Sequence, residues 1–490
     1  MKSNNSQGIV LPTVLVSLLV LVATLITVIG YSQRGLEFVV RRGFNDRAQR
    51  AAVSGVQYVN YLVSNRYSNL SVSDCPATAT SLGTTQTLND GAIKSEFTVD
   101  AIGPRANPVT NKTVKCPIKV TGKAYRSVDA TVPYATHTID AVLEKGSFKY
   151  ADAFAGNAGI IFKPSNQVSG NLYTSGVLQF YNGVFWSDDG IKNFTVAGTT
   201  PLPSADYVLQ GPGSLDRCSV DFRHNETAFY NSASSTFKTK GAICRKKDWG
   251  ASAIPQSYLE PHYPDNPNIP IYRMPQINRY FVIQKAHDGG NRACSTLYSL
   301  ANNATIPPGY YFENPPIAGP SPDSCNNVSL TSGRNYTVNG ANGPIYINGT
   351  LNLNNNQITN SSATNPMIIY VRGQISVVGN TRFGGGPIIF VADGREPNTF
   401  FGWQRDGINL RQNNELRSNT ALPPNVAFMS PYSTINIEPA GGNSQYGPIV
   451  ARKIRIYAPG PRVQFNTSAF TNINDSIPFA WKVTEQHRSY

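Results

Sequence analysis

The chain has 490 residues, enough for more than one domain at about 100–200 residues each. Charged residues make up only 14%, with 41 Gly and 34 Pro. That excludes a chain built mainly of long solvated helices and favours short strands joined by Gly, Asn and Pro turns. The net charge of +13 suits a polyanion such as acidic surface polysaccharide, anionic lipid or nucleic acid. Nucleic acid is disfavoured, because the densest basic cluster, Arg245-Lys246-Lys247, is short and lacks interleaved aromatics.

Ile9 to Tyr31 carry no charged side chain. As a helix this stretch is roughly 35 Å long at about 1.5 Å per residue, enough for a hydrocarbon core of about 30 Å. It exceeds the apolar run of a secretory signal, about 7–15 residues, and no small-x-small site precedes Arg34. A retained span is the better reading. Beyond it Leu36, Val40, Phe44, Ala48, Ala51, Ala52, Val56, Val59, Leu62 and Val63 recur at three- and four-residue steps, which places them on one helical stripe. One long helix is therefore predicted, apolar all round at first and amphipathic later, with Gly30, Gly35 and Gly43 as places where it could bend.

Only Lys2 precedes the span, whereas Arg34, Arg41 and Arg42 follow it. Positive-inside counting alone would put the bulk of the chain in the cytoplasm. The six cysteines argue the other way. Cys75, Cys116, Cys218, Cys244, Cys294 and Cys325 form no CxxC pair, and an even set without metal spacing favours an oxidising compartment. Joining sequence neighbours gives 75–116, 218–244 and 294–325, one of 15 possible arrangements, and buried free thiols are the alternative.

The stretch SQGIVLPTVLVSLLVLVATLITVIGYSQ, followed by FNDRAQRAAVSGVQYVNYLV, resembles the type IV prepilin class and in particular PilX-type minor pilins. The resemblance covers about the first 65 residues. It implies a leader of residues 1–8, cut by a prepilin peptidase between Gly8 and Ile9, and a helix over 9–66 that packs against other pilin subunits after leaving the inner membrane. Major pilins carry a glutamate at the fifth mature position, where this chain has Thr13. Without that carboxylate the resemblance implies a tip, priming or low-copy subunit and not the repeating body of a filament.

Alternation around 97–99, 114–120 and 137–143 predicts strands, which with the helix would complete a small pilin-like α+β domain over 67–150. The phrase HTIDAVLEKGSFKYADAFAG resembles the exit from the sheet domain of PilX-type proteins. From 151 to 480 a loose β-branched–x–Gly–x–apolar repeat emerges, as Val168-Ser-Gly170-Asn-Leu172, Ile347-Asn-Gly349-Thr-Leu351 and Val371-Arg-Gly373-Gln-Ile375, with a partial copy at Val338-Asn-Gly340. Short strands punctuated in this way suit a parallel β-helix-like solenoid, and the irregular period leaves a β-sandwich open. The carboxy-terminal run containing Tyr446-Gly447-Pro448-Ile449-Val450-Ala451 resembles the end of solenoid-like domains of unknown function on pilus-type surface proteins, where such a turn bridges two rungs. The predicted class is thus α+β, mostly β.

Residues from about 200 to 330 interrupt the repeat and read as a Cys/Pro-rich insertion. Ile254 to Gln276, with Tyr258, Tyr263, Tyr272 and nearby Tyr280, is the expected contact surface. No HExxH, GxSxG, P-loop or dinucleotide-binding pattern is present. Glu260, His262 and Asp265 are close in sequence but sit among prolines, and Asp188-Asp189 and His287-Asp288 read as surface turns. No catalytic, cofactor-binding or metal-ligating residue is assigned, and no cofactor is expected. The expected function is a minor pilin-like subunit that displays its β module for adhesion or assembly, with a host or surface polyanion as possible receptor. The alternative is a signal-anchored solenoid enzyme or binding module for acidic surface polysaccharide, which would need carboxylates in a groove.

Overall fold

The structure is a computed structural model. It describes residues 10–64, 75–103, 114–148, 151–246, 272–312, 325–394, 406–412, 425–466 and 468–489, apart from short gaps within those spans. It is mostly β, with one long amino-terminal helix and large multi-stranded sheets.

The helix, α1 (Val10–Ser64), runs unbroken through Gly30, Gly35 and Gly43. Its second half lies on an antiparallel sheet of β1 (Thr85–Asp90), β2 (Ile93–Ile102), β3 (Val114–Ala124) and β4 (Ala135–Lys145). Alternation along β2 and β4 turns Phe97, Val99, Ile139, Ala141 and Leu143 toward Ala51, Ala52, Val56 and Val59 of the helix. Two glycines permit the approach. A Cβ at Gly122 would strike the Ala48 carbonyl oxygen and the Ala52 amide nitrogen, and one at Gly55 would strike Val120 and Phe97. Strand and helix backbones touch there.

A fifth strand, Trp481–Ser489, pairs antiparallel with β4. Trp481 is buried in the helix–sheet core, with the Lys145 ammonium 5.9 Å from its ring centroid. The small sheet therefore takes strands from both sides of the solenoid in sequence. The reading that closed the sheet domain near residue 150 missed this return.

The rest is a three-sided parallel solenoid around one core. One ladder runs from Asn291–Ala293 through Ile345–Ile347, Met367–Val371, Ile388–Ala392 and Ile449–Ile456 to Ala153–Ala155, Leu172–Thr174 and Ser235–Thr239. A second joins Cys325–Ser329, Gly349–Asn354, Ile375–Val378 and Ile449–Ile456 to Ile160–Phe162, Leu178–Phe180 and Gly241–Lys246. The third side is two shorter parallel sheets, one containing Asn335–Val338 and one containing Asn443–Tyr446. Like stacks on like along the inside: Ile408, Ile435, Ile454 and Ile160 follow one another in register, and Phe162 stacks on Phe180 at 5.2 Å.

The repeat glycines stand at corners. Gly349 and Gly373 turn the chain from the first side to the second, where the Gly373 amide donates to the Gly349 carbonyl at 2.8 Å and a Cβ on Gly349 would meet Cys325. Gly170 (φ +108°) turns from the third side to the first, against the Phe465 carbonyl. The repeat thus marks two different corners of the rung, hence its irregular period.

Spatial and sequence order differ. Ala153–Ala155 and Ile160–Phe162 stack on Ile449–Ile456, so the first coil entered lies mid-stack beside the last one left. From there the chain winds outward to residue 246, crosses the outside of the stack at 272–288, and winds back from the far end. This corrects the insertion over 200–330. Ser214–Phe222, Gly241–Lys246, Asn291–Ala293, Gly309–Phe312 and Cys325–Ser329 are rungs, and their four cysteines sit near the two ends of the stack. Cys218 pairs with Cys244 and Cys294 with Cys325, at Cα separations of 5.6 and 6.1 Å. The ends are where edge strands need covering, and Tyr207–Gln210 lies antiparallel on one of them.

The two connections to the small sheet meet on the outside of the first ladder. Phe148 packs edge-on against Phe479 at 5.1 Å and Phe470 at 5.6 Å, over Ile277 of the crossing segment. That segment pairs with the exit, Asn278 N–H to the Pro478 carbonyl at 2.8 Å and Ala480 N–H to the Gln276 carbonyl at 2.7 Å.

Two outcomes follow. Gly122→Val should destabilise the helix–sheet unit by about 1–3 kcal/mol, the usual cost of overpacking. Hydrogen exchange should then quicken in β3 and in helix residues 48–59 while solenoid amides stay as they were. Phe148→Ala removes a buried ring at the junction, a loss of about 3–5 kcal/mol. Spin-label distances between β4 and the solenoid should broaden without loss of strand content.

Candidate assembly and contact surfaces

Four features offer surfaces: the bare half of α1, the crossing segment, the outer polar side of the solenoid and the disulfides. From Val14 to Val28 every large apolar side chain of α1 is exposed. The best 18-residue window has a mean hydropathy of 2.6 and none of it is buried. By length and composition the helix can cross a membrane. The Thr24 and Thr27 hydroxyls are satisfied within the rod, Thr24 donating to the Val20 carbonyl at 3.0 Å and Thr27 to the Ala23 carbonyl at 2.6 Å, as an apolar surrounding requires. Gly8 and Ile9 lie outside the described residues. Thr13 stands in the first turn of α1, and its side chain is outside the description.

The crossing segment carries the helix Arg279–Asp288, capped by Asn278, whose side chain accepts from the Phe281 N–H at 3.2 Å. It covers a column of outward aromatics on the first ladder. Tyr310, Tyr346 and Tyr370 are in register, with ring centroids 4.8 and 5.5 Å apart, and His287 stacks on Tyr310 at 4.2 Å. Arg279 reaches over the column to the buried Asp393 carboxylate at 3.1 Å and donates to the Tyr346 hydroxyl at 3.4 Å. Farther along, the Tyr173 hydroxyl accepts from the Tyr272 N–H at 2.9 Å. Burial pushes Tyr173 up to about 12 and raises Tyr310, Tyr346 and Tyr370 as well.

Of the expected contact tyrosines, Tyr272 is thus packed on Tyr173 at 5.0 Å. Tyr280 is exposed on the crossing helix, and Tyr258 and Tyr263 lie outside the described residues. So do Glu260, His262, Asp265 and the Asp188-Asp189 pair. His287 Nδ1 is 2.7 Å from the Asn291 Oδ1, and Asp288 pairs with Lys285 at 3.2 Å. The third disulfide, Cys75–Cys116, pins the segment after α1 to β3.

On the second side the outer residues are polar. Asn352, Ser376, Asn409 and Asn436 stand in register, and Asn436 donates to the Asn409 side chain at 2.7 Å. Several rung carboxylates are engaged in structure. Asp152 accepts from the Asn171 backbone N–H at 2.7 Å and its side-chain amide at 3.0 Å, Glu438 pairs with Arg411 at 3.0 Å, and Asp393 holds Arg279. Among the described residues no group of three or more His, Cys, Asp or Glu is placed to hold a metal ion.

No protein-family model matches the chain, and no curated protein matches it. The crystal structure of the competence-associated pilin ComZ from Thermus thermophilus aligns with 91% of this chain and 97% of its own, at 9% identity and a TM-score of 0.23. A score that low does not establish a common fold.

The buried phenols give a pH signature. Unfolded tyrosine ionises near 10, whereas Tyr173 in the folded chain does so at about 12. The folded state thus holds its proton longer, and stability is lost as pH rises from about 10 to about 12. Denaturant unfolding of the solenoid should show this decline. Tyr173→Phe should make it shallower, at a cost near neutral pH of about 1 kcal/mol for the lost hydrogen bond.

Proposed function

We propose that the chain is a minor pilin-like subunit of a type IV pilus or related filament, held in the inner membrane before assembly with its bulk on the periplasmic side. A prepilin peptidase would cut between Gly8 and Ile9. Other pilin subunits would then pack along the freed helix. The solenoid would be displayed at the surface for contact, in adhesion or in assembly. The observation that carries this reading is the division of α1, whose first half is bare and apolar all round while its second half is fused to an antiparallel sheet. A rod of that kind can exchange lipid for packed helices without refolding the head.

A tip, priming or low-copy position agrees with Thr13, which offers no carboxylate to a neighbour's amino terminus. The size of the solenoid relative to the small sheet favours the same position, since a shaft lattice would have to accommodate it on every copy. The structural engagement of Asp152, Asp393 and Glu438 supports a non-catalytic role, and the charge of +13 supports a polyanion as the surface partner.

Co-expression with and without a prepilin peptidase tests the processing. Mass spectrometry should find Ile9 as the amino terminus only when the peptidase is present. An intact Met1 end in both samples would overturn the pilin reading.

A further inference from the structure

Exposed apolar side chains and convergent cations meet at one end of the small sheet. The β3–β4 hairpin descends along α1 toward its bare half: Ala124 and Ala135 pack on Ala48 beside Phe44, and Phe44 meets Tyr134 at 4.7 Å. Below this contact, the loop and the helix turn from Leu36 to Asn45 enclose a cleft of about 420 Å³, with Arg41, Arg126 and Tyr134 on its walls and Glu37 as the one carboxylate. The Arg126 guanidinium lies 4.0 Å from the Tyr134 ring centroid. Hydrogen bonding from Arg126 and Arg41 holds the Tyr134 phenol below its usual pKa, and both arginines line the same cleft. At the hairpin tip Val132 is 77% exposed and Val128 is also exposed, as are Leu36 and Phe38 on the helix.

We propose that this end of the small sheet is a docking site for anionic phospholipid headgroups of the leaflet from which α1 emerges, and this rests on the membrane anchoring proposed above. The phosphate sits between Arg41 and Arg126, while Val128, Val132, Leu36 and Phe38 rest against the acyl boundary. Height agrees: with Leu36 at the acyl boundary, Arg41 lies about 7.5 Å beyond it along the helix at about 1.5 Å per residue, within a headgroup layer of about 5–8 Å. Charge agrees as well. Arg41 and Arg126 line the cleft with Glu37 as its one carboxylate, an excess of cations. A second copy of the chain is the weaker occupant, because its own apolar stretch from Ile9 to Tyr31 carries no anion to offer these arginines. Docking there would hold the head against the membrane before assembly and add an energetic step to its extraction.

The test uses the full chain in nanodiscs of phosphatidylglycerol or of phosphatidylcholine, with a nitroxide on Val132→Cys. The native cysteines are disulfide-bonded and leave the label specific. A second label at Val20→Cys reports the anchor itself. We expect the Val132 label to lose access to an aqueous relaxation agent in phosphatidylglycerol only. We expect Arg41→Gln/Arg126→Gln to lower the docked-to-undocked ratio by roughly 25-fold, the product of about fivefold for each arginine near an anionic surface. Inorganic phosphate should not displace the label from the bilayer. Equal exposure in both lipids, shielding that survives the double substitution, or shielding only when two copies share a disc would each overturn the site while the Val20 label stays lipid-embedded. A water-exposed Val20 label would overturn the anchoring reading, and the docking site with it.

Discussion

Strand β3 crosses α1 so closely at Gly122 that the two backbones touch, and Gly55 lets Val120 and Phe97 come equally near one turn farther on. This contact converts a helix into a handle. An isolated apolar rod of this length would tilt and slide freely, with nothing to relate its position to that of the folded head. Here Ala48, Ala51, Ala52, Val56 and Val59 are sealed under the sheet, so a force along the first half of the helix is delivered directly into β3 and its neighbours. Small residues on the helix stripe are the condition for this, because larger ones would hold the strand off and leave the backbone contact unmade.

The solenoid inherits that rigidity through two covalent paths. The chain leaves the small sheet after β4 and returns to it as Trp481–Ser489, so the solenoid is inserted between two neighbouring strands of one sheet. A single linker would allow the module to swivel. Two linkers that pack on each other through Phe148, Phe470 and Phe479, and are bridged by the crossing segment at Ile277, resist it. The permuted order of the rungs serves the same end. Because the first and last coils are adjacent mid-stack, both linkers leave from one place, and the two ends of the stack are joined to each other through the crossing segment and not to the small sheet.

What could be read from the sequence was local. The uncharged run, the part of the helix stripe from Ala48 to Val59 and the corner glycines all express a period within a few turns or one rung, and periodicity is visible in a single chain, whereas Leu36 and Val40 of the expected stripe are exposed. The return of Trp481 to Lys145 was not visible, because strand pairing across hundreds of residues leaves no local trace. The same holds for the docking of Ile449–Ile456 on Ala153–Ala155. The rungs between 214 and 329 were hidden for another reason. Near the ends of the stack the cysteines do not take the aliphatic positions of the repeat, Cys325 standing opposite the corner Gly349 and Cys244 opposite Asp221, so the repeat loses its signature while the ladder continues. Gly122 carried no signal beyond being a glycine in a strand, which marks a close approach without naming the partner.

The arginines after the span present the remaining tension. Arg34, Arg41 and Arg42 lie on the side that positive-inside counting would keep in the cytoplasm, yet that side also carries three disulfides, which belong in an oxidising compartment. The geometry places one of these cations. Arg41 is turned into a cleft with Arg126, a residue that only the folding of β3 and β4 brings there, so part of the charge at the helix exit is organised by the head after it has folded. A basic residue that merely set orientation would need no such partner. On the docking proposed above, Arg41, whose charge would oppose translocation during synthesis, would after folding help to hold the head to the leaflet.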